Sequence, residues 1–444
     1  MARSLLAGLL LSALAATGAA AAERATSYVY PPFKHTLGMQ RVGELELKLF
    51  LGPGAKVENP QGICAGKPAS RDDAKTDRDD DELTLVLVNS GRGELLYNPS
   101  QTSLKRYGRK GSGEGEFLDP RGVDMDREGR VAVADTGNHR VALLGLGEDA
   151  LQWTGAIDSV EGAPFAPSDV AFAAGMLWVT DLAGGRILRF KPDGEWVDAW
   201  APRGDDALDG PLALAVADAK DPWNRMRRFA LVLVDRQGQR VRVYDERARV
   251  LHEANVADLL PGPARLGYPV IDLHGQILLP DSTGGRLLKL NRDLSVLDVL
   301  DHLDDDSPLR HPSSLALYRR FGQLFVVETR GGSYAWTGTD VKRFEALRVD
   351  GDGRPGLQLD YFLTEPSLVR ILLAAGGEER ELLPERRREA GERRDWVALP
   401  EPIPARATVI LRATPTYSAR KQLTVERRAP LPAGDPAPQA AEAR

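Results

Sequence analysis

The chain has 444 residues, 64 acidic and 58 basic side chains, a formal net charge of −6 and a single cysteine. That mild, mixed charge excludes a phosphate-binding stripe, because basic groups such as Arg386–Arg388 and Arg393–Arg394 alternate with Glu. One cysteine excludes an internal disulfide, and beyond the N-terminus no apolar run reaches the length of a membrane span.

In chain order, Met1–Arg3, the apolar run Leu5–Ala16 and the small residues Gly18–Ala22 have the pattern of a secretory signal peptide cleaved after Ala22. Residues 1–22 are therefore expected to be removed, leaving a periplasmic or secreted protein with residues 23–43 as a lead-in. The next segment, Glu44–Phe50, alternates apolar and polar side chains. It is predicted to be a strand that completes the last unit of the repeat described next.

From residue 44 to 348 one phrase returns six times. An apolar run ends in an acid or amide, a Gly-containing turn follows, and a second apolar run leaves it. The acidic positions are Asn89, Asp135, Asp181, Asp235, Asp281 and Glu328, at steps of 46, 46, 54, 46 and 47 residues. A proline opens another strand upstream of each, at Pro60, Pro120, Pro167, Pro211, Pro269 and Pro312. The proline-to-acid distances are 29, 15, 14, 24, 12 and 16 residues, so the first and fourth copies carry insertions. A period of 40–50 residues built from short strands indicates the blades of a β-propeller.

The second copy is the fullest. Tyr107, Gly108, Gly111, Gly113, Gly115, Phe117, Pro120, Gly122 and Val123, continuing through Asp135, Gly137, Asn138, His139, Arg140 and Val141, resemble one complete NHL repeat. Phe50–Pro60 echoes its opening. The resemblance implies a six-bladed propeller. It also implies that Asp135 and Arg140, Asp181 and Arg186, Asp235 and Arg240, and Asp281 and Arg286 brace turns and do no chemistry.

After Val349 the period stops. Asp350–Gly356 is predicted to be an interdomain turn, and strands are predicted over 357–364, 368–374, 395–399, 408–413 and 422–426. Residues 349–428 should form a small β-sandwich. Tyr361–Ile371, Gly376–Gly377 and Gly391 with Trp396 resemble the immunoglobulin-like module of bacterial flagellar hook-capping proteins and their secreted relatives. Residues 429–444, rich in Pro and Ala, are expected to be disordered. The fold class is all-β, a six-bladed β-propeller followed by a small β-sandwich.

Propellers place function where the inner strands converge. The positions flanking the six prolines supply Asn59, Gln61, Asp119, Arg121, Ser168, Tyr268, His311 and Ser313 as candidate binding residues at a channel mouth. Asn59, Asp119 and Asp169 are too few oxygen donors for calcium. Of the six histidines, only His311 and His302 lie near one another, short of a zinc site. Asp304–Asp306 is taken as a solvated loop, and Cys64 as a buried apolar residue of the first inner strand. No nucleophile elbow or phosphate loop is present in the sequence. The expectation is an exported, non-catalytic propeller without metal or cofactor, with a protein, peptide or glycan as its partner and no nucleic acid. The alternative is a metal-dependent lyase or lactonase-type enzyme on the same propeller.

Overall fold

Each proline-led segment is the first strand of an antiparallel sheet, and the acid of the repeat phrase closes the second strand. The computed structural model describes residues 25–29, 40–72, 82–100, 103–148, 150–202, 204, 207–303, 308–351, 354–400, 407–417 and 423–431. The expectations for residues 1–22, Asp304–Asp306 and 432–444 lie outside the described residues. Six sheets succeed one another, with first strands at Pro60–Gly66, Pro120–Met125, Pro167–Ala173, Pro211–Ala217, Val270–Ile271 and Ser314–Tyr318. The first five sheets have four strands each, in sequence order.

Separate apolar layers lie between neighbouring sheets, and these hold the ring together. Val86, Val88 and Tyr97 of the first sheet meet Val131, Val133 and Leu144 of the second. Phe325, Tyr334 and Trp336 of the sixth meet Ile63 and Leu85 of the first, which closes the circle. Burial of this kind contributes roughly 25 cal/mol per Å² of apolar surface. A closed ring leaves only short edges.

The sixth sheet is closed by the N-terminal segment, though not by the predicted residues. Tyr28–Val29 pairs with Trp336–Thr337, and Arg41–Val42 pairs with Gly332–Ser333. Glu44–Leu51 is instead an α-helix. Local helix signals outweigh its strand-like alternation. The Glu46 carboxylate accepts the Gly43 N–H at 2.8 Å, Glu44 and Glu46 sit in the first turn, and Lys48 sits in the last. Only Leu47 of its apolar residues is buried.

The second unit begins earlier than the sequence pattern suggests. Val341–Gly351 pairs with Arg354–Leu363, so Asp350–Gly356 belongs to a hairpin within the sandwich and not to an interdomain turn. Gly391–Ala398 completes that three-stranded sheet. The facing sheet has the order Glu378–Arg388, Ser367–Ala375, Thr408–Pro415, Val425–Pro430. Leu357, Leu359, Tyr361 and Leu363 pack against Val369, Ile371, Val409 and Leu411 to form its core. Residues 429–430, expected to be disordered, are the end of the last strand.

A buried polar seam joins the sandwich to the ring. Lys289 of the fifth blade donates to Glu365 at 3.1 Å, and both side chains are fully buried. Lys342 reaches Asp298 at 3.0 Å and Asp340 at 3.1 Å. Tyr417 packs edge-on against His274, ring centroids 5.5 Å apart. Removing one member of such a pair strands a buried charge, whereas removing both does not. Lys289→Met should therefore cost about 3–5 kcal/mol in urea denaturation. The double variant Lys289→Met/Glu365→Leu should recover most of that loss. A single variant as stable as the parent would show that the seam carries no such pair.

Candidate ligand-binding cavity

The repeat phrase owes its form to one local bonding pattern. Asp135 Oδ1 accepts the Leu118 N–H at 2.8 Å, while Oδ2 accepts Asn138 Nδ2 and Arg140 Nε, both at 2.8 Å. Arg140 then gathers the glycine-rich loop, donating to Ser112 O, Gly113 O and Glu116 O at 2.9–3.0 Å. Its guanidinium also stacks 5.0 Å from the Trp153 ring centroid.

The same carboxylate position recurs around the ring. Asp181 accepts Ala166 N–H (3.1 Å) and Arg186 Nε (3.0 Å), and Asp281 accepts Arg265 N–H and Arg286 Nε (both 2.8 Å). Asn89 Oδ1 takes Glu58 N–H at 2.8 Å and Glu328 takes Arg310 N–H at 3.0 Å. In each case the donor lies just ahead of that blade's first strand. The fourth copy departs from the rule. Asp235 accepts Gln239 and Arg240 N–H, and Arg240 turns toward Glu253.

The proline ends of the inner strands crowd together. A Cβ on Gly62 would stand 2.7 Å from Arg121 O, and one on Gly122 would stand 2.5 Å from the Asp169 Cα. Only glycine permits that approach. Ser168 Oγ donates to Leu212 O at 2.6 Å, Ser313 Oγ to Pro60 O at 3.3 Å, and Tyr268 N–H to Ser313 O at 3.2 Å. Three exposed residues here hold a positive φ ahead of proline: Asn59 at 48°, Asp119 at 46° and His311 at 52°. Their side chains bond locally. Gln61 donates to Asn59 at 2.9 Å, Arg121 to Asp119 at 2.9 Å, and His311 Nδ1 lies 2.8 Å from Ser282 O. Ser168 is buried and braces two strands.

The channel widens at the other end of the same strands. A cavity of about 500 Å³ is bordered there by all six inner strands. Of the eight mouth candidates only Tyr268 lines it. Asp169, named from the sequence as an oxygen donor, lines it, as do Asp124, Asp221, Trp223 and Arg319, which the sequence did not single out. An acid inside an otherwise apolar inner strand was the available signal for Asp124. Asp221 and Trp223 come from the fourth-copy insertion, which the sequence marks only as extra length. Arg319 clamps that insertion, donating to Asp221 Oδ2 at 2.7 Å, Ile271 O at 2.9 Å and Val216 O at 3.1 Å.

Both inner acids reach across to the next blade. Asp124 Oδ2 accepts the Phe172 N–H at 2.7 Å, and Asp169 Oδ2 accepts the Leu214 N–H at 2.9 Å. Burial outweighs these bonds and lifts the Asp124 carboxyl to about 6. Burial, reinforced by the nearby Asp124, pushes Asp169 well above the usual carboxylate range. Burial also raises the Cys64 thiol, with Asp124 adding to the effect, so the sulfur is protonated and unreactive near neutral pH. The Tyr268 hydroxyl is raised by burial and then by Asp169. Among the described residues no three His, Cys, Asp or Glu side chains converge to hold a metal.

Residues 117–142 match the NHL repeat. Over 65 residues the chain is 34% identical to the B-box type zinc finger protein ncl-1 of Caenorhabditis elegans, covering 13% of this chain and 8% of that protein. The chain thus spans less than a tenth of that relative's length. Among solved structures it is similar to virginiamycin B lyase from Staphylococcus aureus (TM-score 0.39, 12% identity, 57% of this chain and 76% of that one). It is also similar to a luciferin-regenerating enzyme (TM-score 0.44, 16% identity, 67% and 95%). A third is a gluconolactonase from Xanthomonas campestris (TM-score 0.41, 14% identity, 69% and 98%). At these identities the likeness concerns the fold alone.

The raised Asp124 carboxyl has a thermodynamic consequence. Its folded-state value lies above the unfolded one, so the native state holds the proton more tightly, and stability falls as pH rises from about 4 to about 6. Asp124→Asn should flatten that slope and be more stable than the parent at pH 8 by on the order of 2 kcal/mol. Urea titrations across the pH range check this; parallel curves for the two proteins would contradict it.

Proposed function

We propose that this chain is an exported, non-catalytic binding propeller of NHL type, which holds part of a peptide, glycan or protein partner in the wide end of its central channel. The observation that carries this reading is the cavity itself. It is bordered by every blade, and its largely apolar wall carries a few buried polar side chains fixed by backbone bonds. The one thiol in it is protonated, and the carboxylates are anchored to N–H donors, an arrangement suited to holding a group in place. The signal-peptide pattern of residues 1–22 supports export. The C-terminal sandwich, by its resemblance to an immunoglobulin-like module, serves as a spacer or adhesion unit.

The alternative, an enzyme of lyase or lactonase type, draws on one feature. A carboxyl raised to about 6 within a cavity is placed to act as a general base. Filling the cavity separates the readings when combined with a turnover assay. Ala171→Phe should abolish saturable binding of arrayed peptides or glycans with little change in melting temperature. Turnover of a lactone panel by the parent, lost in Asp124→Asn, would replace the binding reading with the enzymatic one.

A further inference from the structure

Two carboxylates face the cavity from neighbouring inner strands, Asp124 in the second blade and Asp169 in the third. Among the described residues neither makes an ion pair. The basic group nearest in effect to Asp124, Arg319, is committed to Asp221 and two carbonyls. Asp124 accepts the Phe172 and Met125 N–H groups, and Asp169 takes the Val170 and Leu214 N–H groups. A carboxylate offers about four acceptor directions, so about half of this capacity is unused.

Two further polar atoms in the same cavity stand without a partner. The Tyr268 hydroxyl and Ser314 Oγ are buried and make no hydrogen bond, their residues being 7% and 1% exposed. Both line the cavity with the two acids. Buried polar groups are normally satisfied, and orphans clustered at a cavity indicate a missing occupant.

The sign of the charge selects that occupant. An anion would meet two carboxylates, whereas a neutral sugar would satisfy the hydroxyls but leave the acids uncompensated. A group with several N–H donors and a positive charge answers all four at once. We propose that the cavity receives an organic cation, the ammonium or guanidinium of a lysine- or arginine-like side chain, between Asp124 and Asp169. This rests on the reading of the cavity as a binding site and names the chemistry it selects. Trp223, 38% exposed at the cavity rim, flanks the approach.

Binding of this kind depends on pH. The groups facing Asp124 are Asp126, Arg319, Cys64 and Asp169, and those facing Asp169 and Tyr268 are Asp124, Asp119, Arg121 and Arg265. Burial strengthens proton binding to the two acids in the empty cavity, with Asp124 raised to about 6, so protons compete for them as pH falls. A cation must displace those protons, so affinity rises with pH and is lost as pH falls.

The test is a Trp223 fluorescence titration of the mature chain, with Trp223→Phe as the control for signal. The probes are capped glycyl-lysyl-glycine, glycyl-arginyl-glycine and glycyl-norleucyl-glycine, with maltotriose as the neutral sugar. The two cationic peptides should bind at least about tenfold tighter than the norleucine peptide. They should weaken by a similar factor in Asp124→Asn and on lowering pH from about 7.5 to about 5. Asp169→Asn provides a second variant, and near-UV circular dichroism confirms that each is folded. Equal or tighter binding of the norleucine peptide or maltotriose overturns the cation assignment alone. So does indifference of folded Asp124→Asn and Asp169→Asn. Absence of any response to all four probes overturns both the assignment and the cavity reading.

Discussion

In five of the six blades the ring depends on a side-chain oxygen placed at the end of the second strand. Asn89, Asp135, Asp181, Asp281 and Glu328 each accept a backbone N–H from the segment that leads into the first strand of the same blade. In three of them an arginine five residues on clamps the other oxygen, with Nε at 2.8–3.0 Å. Charge-assisted bonds of this sort are stronger than neutral ones and fix direction as well as distance. In those blades they determine where the inner strand begins, and hence how closely it approaches the axis.

From that placement follows the asymmetry of the channel. At the proline ends, Gly62 and Gly122 permit backbone to pass against backbone, and hydroxyls of Ser168 and Ser313 tie one blade to the next. Further along, the strands diverge and leave the cavity with Asp124 and Asp169 on its wall. The narrow end is satisfied by its own hydrogen bonds. The wide end carries orphaned hydroxyls and uncompensated acids, and it is therefore the end with something left to bind. Beside it, Arg225 of the fourth-blade insertion bonds Thr416 of the sandwich at 2.8 Å, so the second unit is linked to the cavity rim.

The regular part of this architecture was legible because it repeats. Proline and acid recur through the chain, and most pairs fall on real strand ends such as Pro120 and Asp135, with Pro269 and Pro312 lying just ahead of theirs. What failed was local and unrepeated. Glu44–Leu51 alternates like a strand but is capped like a helix. Glu378–Arg388 falls between the predicted strands, yet it is an edge strand that buries little beyond Leu383, where charge is a protection against further pairing. Proline-flanking positions were legible as strand starts, but which end of the ring opens is a matter of strand divergence, and no single residue encodes that. Asp169 was legible as an oxygen donor at the channel, but its partners were not. Its place beside Gly122 and Leu214 arises only once three blades are assembled.

Amide hydrogen exchange reads the central interaction directly. In the native protein the N–H groups of Glu58, Leu118, Ala166, Arg265 and Arg310, although in connecting segments, should be protected through their side-chain acceptors. Replacing Asp281 by alanine should accelerate exchange at Arg265 and its neighbours in the fifth blade while Leu118 and Ala166 keep their protection. Unprotected amides at these five positions in the parent, or unchanged exchange at Arg265 in the variant, would contradict the account.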